Sequence, residues 1–275
     1  MTLLIGAGAF SHAHIRTLNE LGITNLELLK NTAWTDEQQD LFIQKYPNNN
    51  FLFSNELDST GKIVHVITPS NTHLAMLNQL SSANKIFVEK PSVLYNCEQD
   101  FVTANSLQNT IYHNDWFANI QNLRHVKIKP KQINIKYDVR DKPIDLITEV
   151  ISHGINLLSL WCEPSAEIEI KYFYSRQDEV LVHCDIDNID FKMIATADKT
   201  DKSNWQCTFA TKDQVEQFVS QRVGGQLLIN TLNTMLTNSI PLTNWYKCSW
   251  LIHKFRMLLT PDVFYKNYKK YYKCK

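Results

Sequence analysis

The sequence predicts an α/β protein whose first part is a doubly wound parallel sheet and whose second part is built on a further sheet. Three observations predict it. A short apolar run, Thr2-Leu3-Leu4-Ile5, passes through Gly6-Ala7-Gly8 directly into a helical stretch from Ala9 to Leu21. Strand-like runs then alternate with helix-like runs as far as residue 115, the pattern of parallel strands joined by crossover helices. Residues 167–209 are strand-rich with short turns, as in an antiparallel meander. A chain of 275 residues is long for one domain and comfortable for two. The expected division is a nucleotide-binding domain over 1–115 and a substrate domain over 116–275.

A strand, a glycine turn and a helix start form the arrangement that receives a dinucleotide pyrophosphate. The first glycine permits the turn, and the second lets the backbone approach phosphate without a Cβ in the way. The helix N-terminus then offers unpaired N–H groups and a positive dipole end. Gly6, Gly8, Ala9, Phe10 and Ser11 are therefore candidate cofactor contacts. Ser11 stands where the usual pattern has a third Gly or Ala.

Composition narrows the partners. Lys plus Arg equals Asp plus Glu at 28 each, which argues against a nucleic-acid or anionic-membrane binder and leaves a small molecule as the expected partner. The six cysteines form no Cys-x-x-Cys pair and no cluster of zinc spacing. No metal is expected, and the thiols read as free in a reducing compartment. With no signal-like start and no run of eighteen apolar residues, the expected location is the cytoplasm.

Asn25 to Leu29 reads as a second strand ending at Lys30-Asn31. An acidic residue near this strand end, roughly 20 residues beyond the glycines, marks NAD preference. Lys30 and Asn31 occupy the place instead. Lys30 either pairs with a 2′-phosphate, which slightly favours NADP over NAD, or is a solvated strand-end lysine. Asp36 to Tyr46 is helical, with Leu41 and Phe42 as its apolar contacts, and Phe51-Leu52-Phe53 is strand-like. Ile63 to Ile67 is a buried strand leading into Thr68-Pro69-Ser70-Asn71-Thr72-His73. Ile86-Phe87-Val88 is another, closed by Glu89-Lys90-Pro91. In parallel sheets ligands sit outside the carboxyl ends of the strands. Thr68, Pro69, Asn71, His73, Glu89 and Lys90 are thus candidate cofactor contacts. Lys90 is also the leading catalytic candidate, because an ammonium beside a developing alkoxide stabilises it and can give up a proton.

Gly6-x-Gly8-x-x-Ser11-x-x-His14, Thr68-Pro69 with His73 four residues later, and Glu89-Lys90-Pro91 together resemble the Gfo/Idh/MocA family, the glucose-fructose oxidoreductase and inositol dehydrogenase group. The resemblance implies a Rossmann domain followed by an α/β domain with an open, mostly antiparallel sheet. It implies NAD(P)-dependent redox chemistry on sugars, polyols or related carbonyl compounds. It also implies that Lys90 reaches the nicotinamide and the reacting oxygen of the substrate.

Ser92 to Leu107 reads as a helix and Thr110 to His113 as the last strand of the nucleotide domain. Family members carry an Arg soon afterwards, but none occurs here before Arg124. Trp116 is a candidate substrate contact in its place, or a core residue. Gln132 to Val139 alternates as a strand, and a helix follows from about Ile144 to Trp161. On that helix Ile147, Ile151, Gly154 and Leu158 form an apolar stripe, with Glu149, His153 and Asn156 nearly opposite. Glu149, Ile151, His153 and Asn156 resemble the family's Asp-x-Gly-x-His-x-x-Asp helix, with only the histidine kept in type. His153 is a candidate proton relay with Glu149 orienting it, and Asn156 a candidate substrate contact. The alternative is a packed histidine with satisfied hydrogen bonds.

Two closing helices are expected, one after Gly224-Gly225 and one from Asn244 to Leu259, and a basic aromatic tail follows Pro261. The family resemblance implies self-association through the free face of the second sheet. The function expected is hydride transfer to or from a sugar-like carbonyl or alcohol, with a nucleotide-linked sugar as the preferred class. The alternatives are an imine (C=N) reductase, or a cofactor-binding regulatory protein that has lost turnover.

Overall fold

The computed structural model describes residues 1–8, 11–29, 34–90, 111–114, 128–140, 150–176, 179–198, 204–212, 215–221, 228–229, 232–233, 236–237 and 245–259. The chain divides into two compact units, Met1–Trp116 with Gly224–Tyr246, and Phe117–Val223 with Lys247–Lys275.

The first unit is a parallel sheet of β1 (Thr2–Ile5), β2 (Asn25–Leu29), β3 (Asn50–Ser54), β4 (Ile63–Val66), β5 (Lys85–Glu89) and β6 (Ile111–Asn114). Its spatial order is β3-β2-β1-β4-β5-β6, with every pairing parallel. This is the Rossmann order, whose direction reverses at β1 and β4. β1 is buried at all four positions, as a central strand covered on both faces must be. Helix α1 (Ser11–Glu20) lays Ser11, His14, Ile15 and Leu18 into the core at helical spacing.

Helix α2 (Asp36–Lys45) opens with a capping box: the Thr35 hydroxyl accepts from the Gln38 N–H while the Gln38 side chain accepts from the Thr35 N–H. Its inward contacts are Phe42 and Tyr46, which pack with Phe51. Leu41 is 59% exposed, contrary to the sequence expectation. The helix turns its one-residue-earlier face to water, and Tyr46 at i+4 completes the stripe with Phe42. The segment after β4 is tighter than a full crossover helix: a 3₁₀ turn at Ser70–Thr72 and the short α3 (His73–Leu77).

Leu228 and Leu232, from the returning segment, join Leu4, Ile15, Phe87 and Tyr112 in the core of this unit. Lys85 Nζ donates to the Leu236 carbonyl at 3.3 Å and lies over the Tyr112 ring.

The second unit carries β7 (Gln132–Arg140), β8 (Ile168–Ser175), β9 (Glu179–Ile186), β10 (Ile189–Asp198), β11 (Asn204–Ala210) and β12 (Val215–Gln221). The order is β12-β11-β7-β10-β9-β8, antiparallel except for the parallel β7/β10 pair. The sheet is therefore mostly antiparallel, but it is no simple meander: β7 lies between β10 and β11. Asp187 and Asn188, both at positive φ, make the tight β9–β10 turn, which suits the twist of a hairpin. One face is alternately buried through Ile133, Ile135, Val180, Val182, Cys184, Phe191, Met193 and Ala195.

Helix α4 (Ser152–Leu158) lies on that face. A Cβ built at Gly154 would meet Met193 Sδ at 2.6 Å, Phe191 Cζ at 2.9 Å and Ile135 Cδ1 at 3.2 Å, so glycine sets how closely the helix seats. Every residue of α4 is buried. The residues expected on the apolar stripe, Ile151, Gly154 and Leu158, and those expected opposite it, His153 and Asn156, are buried alike. Helix α5 (Trp245–Leu258) is tied to the turn after α4: the Trp250 indole donates to the Pro164 carbonyl and Lys254 to the Ala166 carbonyl.

Candidate functional site

In the first unit, β1, β4 and β5 end on one edge of the sheet, and each ends in a segment singled out by the sequence. After β1, Gly6 has φ +113°, and a Cβ there would lie 2.8 Å from the Ile67 carbonyl oxygen. Glycine is thus required by the backbone and by the approach of the β4 segment. Gly8 differs. Nothing lies within 4 Å of where its Cβ would be, and it is exposed, so packing gives no reason for glycine there. An open position at the start of a helix fits a phosphate approaching the backbone. Ser11 is fully buried, its hydroxyl donating to the Gly8 carbonyl at 2.6 Å and its N–H to the same oxygen at 3.0 Å. The serine that departs from the glycine pattern closes the turn from below.

After β4, the Ile67 N–H donates to the Ile5 carbonyl at 2.8 Å and extends the β1/β4 ladder by one bond. The turn beyond is held by its own side chains. Thr72 Oγ1 lies 2.7 Å from both Thr68 Oγ1 and the Pro69 carbonyl oxygen. His73, 1% exposed, donates from Nε2 to the Thr68 carbonyl at 2.7 Å. His73 therefore braces the Thr68-Pro69 turn from the core, while Pro69 and Asn71 are exposed at its tip.

At the end of β5, Glu89 is buried and Lys90 half-buried. His14 Nε2 on α1 donates to Glu89 Oε1 at 2.6 Å. His14 Nδ1 lies 3.3 Å from Nδ1 of His65 on β4. Both rings are fully buried, and Phe87 packs against each. Burial, followed by the neighbouring His14, holds His65 well below the ordinary histidine range, so its ring is neutral. Sequence reading missed His65. The available signal was an ionisable residue inside the apolar run Ile63 to Ile67.

In the second unit, His153 is 3% and Asn156 0% exposed on α4. The His153 ring meets Tyr137 of β7 edge to face, with centroids 5.9 Å apart, and burial pushes the Tyr137 phenol up to about 12. The Asn156 carbonyl accepts from the Ser159 hydroxyl at 2.6 Å, and the Cys248 thiol lies 3.0 Å from that hydroxyl. Ala9, Phe10, Lys30, Asn31, Trp116 and Glu149 lie outside the described residues.

Among the described residues no group of His, Cys, Asp and Glu could hold a metal ion. No helix there is long and apolar enough to cross a membrane.

No protein-family model matches the sequence, and comparison with curated proteins finds no relative. Solved structures do match. Scyllo-inositol dehydrogenase from Lactobacillus casei, with bound NAD(H) and scyllo-inositol, is 12% identical at a TM-score of 0.70, covering 97% of each chain. The WlbA (WbpB) dehydrogenase from Thermus thermophilus in complex with NAD and α-ketoglutarate is 13% identical at a TM-score of 0.68, covering 95% of this chain and 97% of its own. The same enzyme with NAD and UDP-GlcNAcA is 14% identical at 0.67, with 93% and 94% covered. These neighbours are dehydrogenases of the Gfo/Idh/MocA type, and this chain shares their fold over nearly its whole length.

Proposed function

We propose that the chain is an NAD(P)-dependent oxidoreductase of the Gfo/Idh/MocA type, transferring a hydride to or from a sugar-like carbonyl or alcohol in the cytoplasm. The observation that carries this reading is the shared edge of the first sheet. There the open Gly8 turn follows β1, the braced Thr68-Pro69 turn follows β4, and Glu89-Lys90 closes β5, with β1 and β4 the strands at the order reversal. Ligands of such sheets sit at this edge.

The residues present fit a dinucleotide. Gly6 and Gly8, with the start of α1, would hold the pyrophosphate, and Thr68, Pro69 and Asn71 would line its further path. When bound, the cofactor supplies or accepts the hydride. The Lys90 ammonium stabilises the oxygen that gains negative charge as a carbonyl carbon takes up hydride, and gives it a proton. His153, oriented by Glu149, relays a proton, and Asn156 and Trp116 contact substrate. Lys30 and Asn31 favour NADP over NAD. A nucleotide-linked sugar is the preferred substrate class, consistent with the UDP-GlcNAcA held by one structural neighbour. Self-association through the open face of the second sheet belongs to the same reading.

The test is a fluorescence titration of the purified protein with NADPH and NADH beside Lys90→Ala, followed by a panel of sugar and nucleotide-sugar carbonyls. Binding by the wild type, weakened in Lys90→Ala, and turnover with a panel member support the reading. Absence of binding at near-millimolar cofactor overturns it. Binding without hydride transfer favours the regulatory alternative. Full activity in His153→Ala points to C=N reduction.

A further inference from the structure

We propose that His14 and His65 are positioning residues for Lys90, bracing through Glu89 the strand end that carries it against the helix that follows the glycine turn. The inference rests on the oxidoreductase reading above and deepens it.

Glu89 directly precedes Lys90, so what fixes the Glu89 side chain also fixes the backbone from which Lys90 departs. Glu89 is 6% exposed, and the 2.6 Å bond from His14 Nε2 holds its carboxylate inside the unit. His14 lies three residues beyond Ser11, whose hydroxyl holds the Gly8 carbonyl. One short span of α1 therefore grips both the glycine turn and the Lys90 strand. His65 adds the third element. It stands on β4, two residues before Ile67, and β4 runs directly into the Thr68-Pro69 turn.

The facing Nδ1 atoms of His14 and His65, 3.3 Å apart, can share a hydrogen bond only if one of them carries a proton. With Nε2 committed to Glu89 and Nδ1 facing His65, the His14 ring is located at both nitrogens and cannot flip without losing both contacts. The elements that end at the candidate cofactor site, α1, β4 and β5, are thus joined by one buried polar chain.

Stability alone does not account for these residues. Burying two imidazoles and a carboxylate inside the unit, with Phe87 packed against both rings, is costly, and the β4 positions on either side of His65 are apolar, Val64 and Val66. Functional sites are where such costs recur.

The experiment measures NADH affinity and melting temperature for wild type, His14→Phe, His14→Gln, His65→Leu and Lys90→Ala, with His14→Phe also made in the Lys90→Ala background. Gln keeps an amide donor for Glu89, whereas Phe keeps only the ring. We expect His14→Phe to weaken NADH binding about tenfold and His14→Gln to restore it to within about threefold of wild type. In the Lys90→Ala background His14→Phe should add little further loss, because residues acting as a unit are not additive. Imidazole nitrogen-15 spectra supply a readout independent of the cofactor: His65→Leu should change the His14 Nδ1 signal.

Wild-type affinity in His14→Phe, a His14→Gln variant as weak as His14→Phe, or full additivity with Lys90→Ala overturns the inference while leaving the oxidoreductase reading intact. Failure of the wild type to bind either NADH or NADPH removes that reading, and this inference with it.

Discussion

His14 and Glu89, 75 positions apart in the chain, meet at 2.6 Å inside the first unit, and neither side chain is more than 8% exposed. A contact of this kind sets its own pH dependence, because a second histidine, His65, is enclosed beside it. Burial first, and His14 second, depress the His65 pKa below its ordinary value. In the unfolded chain His65 takes up a proton as pH falls through about 6.5, while in the folded chain it stays neutral. The unfolded state then binds more protons, so folding stability falls on acidification below that value. His65→Leu should remove this contribution and flatten the stability profile from pH 7 to 5, by up to about 1.4 kcal/mol per pH unit. Urea midpoints across that range measure it. Identical slopes in both proteins would show that His65 takes up a proton as readily in the folded chain as in the unfolded one.

The two glycines of the first turn should separate fold from ligand binding. Gly6→Ala places a Cβ against the Ile67 carbonyl at a backbone angle that L residues rarely adopt. A loss of about 2–4 kcal/mol in urea unfolding is expected. Gly8→Ala places its methyl in open space, so stability should stay within about 0.5 kcal/mol. NADH affinity should nonetheless fall at least about tenfold, because the methyl occupies the path of the phosphate. A Gly8→Ala protein that binds NADH normally would show that the open space is not where the cofactor lies.

How much of this was written locally in the sequence differs from element to element. The Gly6-Ala7-Gly8 turn and the strands at 2–5, 25–29, 63–66 and 85–89 were legible because glycine punctuation and apolar runs are local signals. The parallel pairing of β7 with β10 was not: it joins residues 132–140 to 190–198, and no local pattern distinguishes that pairing from a meander. The histidine chain failed for the same reason. His65 carried a signal that was passed over, an ionisable residue in an apolar strand, and its partner lies 51 positions earlier. The stripe reading of α4 set Ile151, Gly154 and Leu158 against His153 and Asn156, and because all five are buried, exposure does not tell the two faces apart. Ser11 read as a weakened motif; its hydroxyl bond to the Gly8 carbonyl gives the turn a tie that a third glycine has no side chain to make.

Four cysteines offer a check on how tightly the helix-covered side of the second sheet is packed. Cys162, Cys184, Cys207 and Cys248 are buried thiols. Burial pushes the Cys162 thiol up to about 12 and raises those of Cys184 and Cys207 further. A thiol reacts as the thiolate, and only when a reagent can reach it. All four should stay unlabelled by iodoacetamide in the native protein at pH 8 and label fully in denaturant, with peptide mapping to resolve each site. Native labelling at Cys184 or Cys207 would mean that the sheet face beneath α4 opens far more readily than its packing indicates.

Gly154 is where α4 comes down on that same face, and its replacement tests whether the seating of the helix governs His153. The methyl of Gly154→Ala would press on Met193, Phe191 and Ile135 together. Met193 can yield because its thioether is flexible, but Phe191 is fully buried and has no room to turn. Overpacking of this kind costs about 1–3 kcal/mol, and α4 would relieve part of it by lifting from β7 and β10. His153 is the preceding residue, and its edge contact with Tyr137 would lengthen with the lift. Gly154→Ala should therefore lower the melting temperature and, under the proposed function, reduce turnover with little change in NADH affinity, since every candidate cofactor residue belongs to the first unit. Met193→Ala in the same chain opens space for the added methyl and should recover part of both losses. Equal loss of NADH affinity and turnover, with no recovery from Met193→Ala, would mean that Gly154 acts through general unfolding and not through the seating of α4.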